Sequence, residues 1–307
     1  PLILAPTGLA GLLSRRGELA AVRAAEKFQV PYCLSTMATC SIEEVARETP
    51  QPKWFQLYVL RDRGLTKAFI DRAKAAHCTA LVLTVDTKIQ GPRERDMRNG
   101  FTVPPRFTAS TILDFASHVS WLFDVALGPR IAFKNFEGTG TATDAMSITQ
   151  FIAGQYDLSV NWKDVEWFKS VWGGPVLLKG ILSPEDAKLA IAHGADGVIV
   201  SNHGGRQLEG AVSAVQALPA IADAVDDRIE VVLDGGIRRG ADVVRARALG
   251  AKACMIGRAW LYGLASEGQS GVERALQILH DEIDVTLTLL GHPKFSDVGP
   301  ETLQVRR

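Results

Sequence analysis

The chain has 307 residues, 47% of them hydrophobic and 22% charged, values of a folded protein with a sizeable core and not of a disordered one. Lysine plus arginine and aspartate plus glutamate balance at 34 each, so no global field draws the protein to nucleic acid or anionic lipid. No apolar run approaches the roughly 20 residues of a membrane-spanning helix and no signal peptide is legible, so the expectation is a cytoplasmic protein.

Short β-branched or leucine-rich runs alternate with stretches of helical period along the chain. The runs are LILA (2–5), YCLS (32–35), WFQLY (54–58), ALVLTV (80–85), VLLK (176–179), GVIVS (197–201), EVVLD (230–234) and ACMIG (253–257). Helical segments lie between them, and GVERALQILHDEIDVTLTLLG closes the series. SIEE and SPED read as Ser-x-x-acid capping boxes, with Pro184 in the first turn of the second. Cys33, Cys40, Cys78 and Cys254 show no C-x-x-C spacing and sit in or beside apolar segments, which predicts four buried reduced thiols and no metal site.

Eight strands with following helices predict a (β/α)8 TIM barrel, as one domain over 1–307. A doubly wound sheet would normally carry G-x-G-x-x-G after its first strand, and PTGLAGLL does not supply it. Residues 87–160 are too long for a βα loop and are expected to form an excursion over the barrel mouth. Within it, ILDFASHVSWLFDVAL (112–127) predicts an amphipathic helix, which either folds over the mouth or meets a membrane or partner.

Sites in such barrels lie at the C-terminal ends of the strands, and here nearly every run ends in residues a core would not choose. The endings are Thr7–Gly8, Ser35–Thr36, Gln56 and Tyr58, Thr84 and Asp86, Lys179, then Ser201, His203 and Arg206. Asp234–Gly235–Gly236 with Arg238, and Gly257–Arg258, complete the ring. One such ending is an ordinary helix cap; eight describe a polar ring around a ligand. The glycines and arginines after the seventh and eighth strands form a phosphate cradle in the usual position of this fold. Lys179 suits either a Schiff base or the stabilisation of negative charge on a cofactor.

SNHGGRQL, WFQLYV, LTVD, LKGI, DGGIRRGADVVRARALGA and IGRAWLYGLA together resemble the FMN-dependent L-2-hydroxy-acid dehydrogenase/oxidase family. LRDRG, RAKAA, WKDVEW, KGILSPEDA and LPAIADAV are most similar to its bacterial respiratory L-lactate dehydrogenase branch. The resemblance implies FMN as cofactor and oxidation of an L-2-hydroxy acid, with L-lactate favoured. It makes His203 the base, Asp86 its partner, and Arg206 the carboxylate clamp, helped by Arg93. Tyr58 would bond the substrate hydroxyl, and Lys179 would sit beside the flavin. Thr7, Gly8, Ser35, Gln56, Thr84 and Ser201 would line its ring and ribityl chain. Asp234, Gly235, Gly236, Arg238, Gly257 and Arg258 would carry the ribityl and phosphate end. Gly8 stands where the family's oxygen-using oxidases commonly have alanine, which favours quinone or cytochrome over O2 as electron acceptor. A homo-oligomer such as a tetramer, with peripheral contact at the inner face of the cytoplasmic membrane, is also implied. The family's N-terminal segment, which contributes a further substrate-contacting tyrosine, is expected to be missing here. Three alternatives stand beside it: an O2-using glycolate- or mandelate-type oxidase; a type 2 isopentenyl diphosphate isomerase relative, which would explain the phosphate cradle and the lysine but not need His203 and Arg206; and an FMN-binding barrel impaired by loss of its N-terminus.

Overall fold

Apolar runs too short for helices hide their backbones best by pairing in parallel under a coat of helices. The computed structural model, which describes residues 1–89, 91, 94–100, 108–138 and 154–304, has this arrangement. Strands β1 (Leu2–Leu4), β2 (Tyr32–Ser35), β3 (Lys53–Tyr58), β4 (Cys78–Thr84), β5 (Val176–Ile181), β6 (Gly197–Val200), β7 (Glu230–Asp234) and β8 (Ala253–Ile256) pair in sequence order. β8 closes the barrel by pairing with β1, Leu4 opposite Ile256. All eight predicted runs are strands; those at 32–35 and 230–234 match end for end, and the others differ by at most two residues at an end.

Side chains alternate across each strand, so one parity faces the helices and the other the barrel axis. The outer parity joins the large core that includes Leu34, Phe55, Leu57, Leu81, Leu83, Leu178, Val198, Val200 and Leu233. The axial parity forms a separate small cluster of Ile3, Ala5, Cys33, Ala80, Val82, Leu177, Ile199, Val232 and Met255. Two residues further along the same faces come Ser35, Thr84, Lys179, Ser201 and Asp234, all buried. The polar ring is therefore the top layer of the barrel interior, set by strand parity on an apolar plug.

The helices are α1 (Gly17–Lys27), α2 (Ile42–Glu48), α3 (Arg63–Ala75), α4 (Glu94–Arg98), α5 (Ala109–Ser117), α6 (Val119–Ala126), α7 (Trp162–Trp172), α8 (Pro184–Ala192), α9 (Ala214–Val225), α10 (Gly240–Ala248) and α11 (Arg258–Leu290). α2 starts with the expected capping box, Ser41 and Glu44 each accepting the other's backbone N–H. Ser183 accepts from the Asp186 N–H and Pro184 fills the first turn of α8. α11 is broken at Glu267 and Gly268, so its second part matches the closing helix read from sequence.

Two expectations need correction. Residues 112–127 do not form one helix: the chain breaks at His118 (φ −106°, ψ 58°) into α5 and α6. Ser117 Oγ donates to the Asp114 carbonyl at 2.7 Å, and His118 Nδ1 lies 2.9 Å from the same oxygen, so side chains take over a carbonyl of the helix end. The cysteines are all free thiols, but Cys78 is only partly buried. Burial pushes the Cys254 thiol up to about 12 and that of Cys78 to about 11.

The described residues between β4 and β5 make contacts with the loops that follow β1 and β2. Trp121 Nε1 donates to the Leu12 carbonyl at 2.8 Å, and Asp124 accepts from the Arg15 N–H at 2.7 Å. Further on, the fully buried Asn135 donates to the carbonyls of Ser35 and Thr36 and accepts the Ile42 N–H. This return of the chain holds the loop after β2 in place.

Candidate active site

Two hydrogen-bonded sets occupy the barrel mouth. The first spans β2 to β4: Ser35 Oγ donates to Gln56 Oε1 at 3.1 Å, and Gln56 Nε2 donates to Thr84 Oγ1 at 2.9 Å. The second spans β5 to β7. Lys179 Nζ lies 2.7 Å from Asp234 Oδ2 and donates to Ser201 Oγ at 3.1 Å, while Ser201 Oγ donates to the same Asp234 oxygen at 2.6 Å. Burial alone would push the Lys179 ammonium down, but Asp234 first and Asp86 next outweigh it and hold it above its ordinary value. Burial likewise acts to raise Asp234, and the Lys179 charge overrides it, so this carboxyl is held below its ordinary value. The predicted lysine is thus a paired cation, and Asp234 belongs beside it in the buried layer.

The loop after β6 carries three consecutive residues of positive φ, His203 (57°), Gly204 (67°) and Gly205 (74°). Glycine takes that conformation freely and histidine at a modest cost. The turn is anchored where the His203 N–H donates to Ser201 Oγ at 3.0 Å. Its ring then meets the loop after β4: Nδ1 lies 3.1 and 3.2 Å from the two oxygens of Asp86. Arg206 is exposed and places Nη2 3.2 Å from Asp96 Oδ2, an acid from α4 that sequence reading did not single out.

Asp86 reaches this position through a glycine. β5 shifts register between Lys179 and Ile181, and the intervening Gly180 has φ +110°. A Cβ at Gly180 would lie 2.6 Å from Asp86 Cβ and 2.7 Å from its Cγ. The glycine after Lys179 is therefore the signal in sequence that a carboxylate packs on that bulge.

Tyr58 stands edge-on to Tyr156, with ring centroids 5.6 Å apart, and Leu60 pairs with Tyr156 in an isolated antiparallel bridge. Tyr156 was not predicted, because nothing in its own segment distinguishes it. Thr7 Oγ1 donates to the Ala5 carbonyl at 3.4 Å. A Cβ on Gly8 would meet Met37 Cβ at 2.9 Å, so packing by itself accounts for that glycine. Arg258 Nη2 donates to the Gly204 carbonyl at 2.9 Å, joining the loops after β8 and β6. Among the described residues a Cβ at Gly235 would find only Gly204 Cα, at 4.0 Å, and at Gly236 nothing within 4 Å, so these backbones with positive φ face an open cradle. Arg238 begins the exposed turn into α10, where its N–H donates to Asp242. Arg93 lies outside the described residues.

A parallel barrel with a buried lysine–aspartate pair, a histidine–aspartate pair and an open glycine cradle at one mouth is the class of site that holds a phosphorylated cofactor beside an acid–base group. The sequence matches the family model of FMN-dependent dehydrogenases over residues 1–305, and the chain belongs to that family. It is 46% identical over 99% of its length to the L-lactate dehydrogenase of Haemophilus influenzae, covering 80% of that protein. It is 45% identical over its whole length to the L-lactate dehydrogenase of Vibrio cholerae, covering 81% of it. A crystal structure of the monotopic membrane protein (S)-mandelate dehydrogenase superposes with a TM-score of 0.95 at 41% identity, over 100% of this chain and 81% of that one.

The donor set fits FMN. A flavin ring requires hydrogen-bonding side chains along its polar edge and a phosphate requires N–H groups and cations, which the buried layer and the cradle at Gly235–Gly236 provide at separate places. The protein is an FMN-dependent oxidoreductase.

Proposed function

We propose that the protein oxidises an L-2-hydroxy acid, L-lactate in the first place, to the 2-oxo acid and delivers the electrons to a membrane acceptor. The observation that carries this reading is the His203–Asp86 pair, three residues from Arg206 and beside the buried Lys179. Relatives at 45 and 46% identity are L-lactate dehydrogenases, and the structural neighbour acts on (S)-mandelate, also a 2-hydroxy acid of that hand.

Asp86 engages Nδ1 and leaves Nε2 of His203 to take a proton from the substrate. The same carboxylate then stabilises the imidazolium that forms. Arg206 holds the substrate carboxylate in a fork, oriented by Asp96, and Arg93 completes the clamp. Tyr58 bonds the substrate hydroxyl. Base and clamp are close along the chain because the hydroxyl-bearing carbon and the carboxylate are adjacent in the substrate. Thr7, Gly8, Ser35, Gln56, Thr84, Lys179 and Ser201 hold the ring and ribityl chain of FMN. Asp234 fixes Lys179 and meets the ribityl chain, while Gly235, Gly236, Arg238, Gly257 and Arg258 hold the phosphate. Bound FMN supplies the two-electron acceptor that amino-acid side chains lack.

For the acceptor, the excursion presents Ile112, Leu113, Phe123 and Leu127 to solvent, between 54 and 72% exposed. Arg15, Arg16 and Arg130 border the adjoining crevice at Val125–Ile131. An apolar patch rimmed by cations suits the headgroup region of an anionic bilayer. No helix among the described residues is long and apolar enough to cross a membrane. The contact is peripheral, at the inner face of the cytoplasmic membrane, and the working unit is a homo-oligomer such as a tetramer.

Anaerobic addition of L-lactate to the purified yellow protein tests the reading: the flavin absorption should bleach. Bleaching with neither L-lactate nor any other 2-hydroxy acid would overturn it. Flavin reoxidised by air as fast as by a quinone analogue would overturn the membrane acceptor. Vesicles containing phosphatidylglycerol should sediment the protein, and Phe123→Asp with Leu127→Asp should abolish that.

A further inference from the structure

The glutamine that ends SNHGGRQ has no role in the chemistry above, yet it ties together the two loops that carry it. Gln207 Nε2 donates to the Asp86 carbonyl at 3.0 Å and to the Ile89 carbonyl at 3.1 Å. Two carbonyls facing one amide fix which end of it is nitrogen, since the oxygen would repel both. Next to this contact a Cβ on Gly91 would lie 2.3 Å from the Gln207 carbonyl oxygen and 2.6 Å from its Cα. The loop after β4 therefore lies flat against the Arg206–Gln207 backbone, and only glycine permits it there.

We infer that Gln207 is a positioning residue that holds the backbone of Asp86 so that its carboxylate faces Nδ1 of His203. The inference rests on the reading of His203 as the base. Asp86 sits between two supports, the Gly180 bulge of β5 on one side and the Gln207 amide on the other. The glycine of the bulge lets the Asp86 side chain pack against β5, and the amide holds the backbone that carries it. With two donors lost, Asp86 has the bulge alone, and a small rotation takes its oxygens from a ring nitrogen that they meet at 3.1 and 3.2 Å. A pair at that distance tolerates little displacement before the hydrogen bond weakens.

The charged groups around the imidazole come from five parts of the fold. They are Asp86 after β4, Lys179 from β5, Asp234 from β7, and Arg206 of its own loop with Asp96 from α4. Lys179 and Asp234 are bonded to one another, so Asp86 is the acid free to answer the histidine.

The test uses the flavin-loaded enzyme with Gln207→Leu, and with Gln207→Glu as an isosteric variant that removes the donors without removing volume. Both should lower kcat about tenfold, the worth of a pair of hydrogen bonds, with KM changed less than about twofold and flavin retained. In Gln207→Leu the acidic limb of kcat/KM should move to lower pH, as it should in Asp86→Asn, because the imidazolium is left with a displaced or missing counter-charge. Placed on Asp86→Asn, Gln207→Leu should cost less than about twofold, since the group it positions has already been disabled. Hydrogen exchange of the peptide carrying Asp86–Ile89 should quicken in both variants. Equal losses in both backgrounds, a change in KM alone, or unaltered exchange would overturn the inference. If His203→Gln left substrate reduction intact while Gln207→Leu still quickened that exchange, the base reading would fail and the positioning of Asp86 would stand.

Discussion

The two sides of the barrel mouth are built differently. Between β5 and β7, Lys179, Ser201 and Asp234 bond one another inside the barrel, with exposures of 4, 0 and 7%. Across the loops after β4 and β6, His203, Asp86, Arg206 and Asp96 meet in pairs on partly exposed backbone, and Arg206 lies at the surface. The buried side is preorganised by strand parity and spends its charges on itself. The loop side keeps its groups in reach of solvent and relies on glycines and on Gln207 for its geometry. Breaking the first should cost stability and flavin binding; breaking the second should cost catalysis while the fold survives.

The largest effect is expected on the loop side. His203→Gln should lower the rate of anaerobic flavin reduction by about a thousandfold, within the range of general-base catalysis, with flavin content and melting temperature unchanged. Rapid-mixing absorbance measures the first and calorimetry the second. On the buried side, Asp234→Asn leaves the Lys179 charge uncompensated and should cost about 3 kcal/mol of stability. Its pH dependence has a definite sign. Asp234 is lowered in the fold, so its contribution is complete above the ordinary 3.8 and is lost as pH falls through the depressed value. Lys179 is raised, so its contribution is complete below 10.5 and is lost as pH rises through the raised value. The gap in melting temperature between wild type and Asp234→Asn should thus be widest between 3.8 and 10.5 and close toward both extremes.

Arg206→Met should come next. Loss of the fork should raise the apparent Kd for a 2-oxo acid product about thirtyfold, read from flavin difference spectra, with stability unaffected because the guanidinium is exposed. Ser35→Ala should be smallest. It removes one neutral donor to Gln56 and should cost about 1 kcal/mol, visible as a lower melting temperature and as slightly weaker flavin retention. A loss of activity with Ser35→Ala as large as that of His203→Gln would erase the distinction between the two sides.

Much of this was legible in sequence because strand ends are local. Each of the eight runs announces its own termination, and sites in this fold lie at such ends. The His203–Asp86 contact was implied by family resemblance and is found at hydrogen-bond distance. Asp96, Asn135 and Tyr156 were not legible: each acts through partners 93 to 110 positions away, and none stands at the end of a run. The pairing of Lys179 with Asp234 escaped for the same reason, since a lysine and an aspartate 55 positions apart give no sign that they share a barrel interior. The break at His118 shows the opposite failure, an apolar period read as one helix where side chains on the spot cap the first half.

The amino-acid order by itself determined the strands, their polar endings and the glycines of SNHGG, because periodicity and backbone freedom are properties of neighbouring residues. Tertiary closure decided which polar residues face the axis, which of them neutralise one another, and which carbonyls Gln207 holds. Those depend on distances between strands, and a chain acquires them only when β8 pairs with β1 and brings the eight endings into one ring.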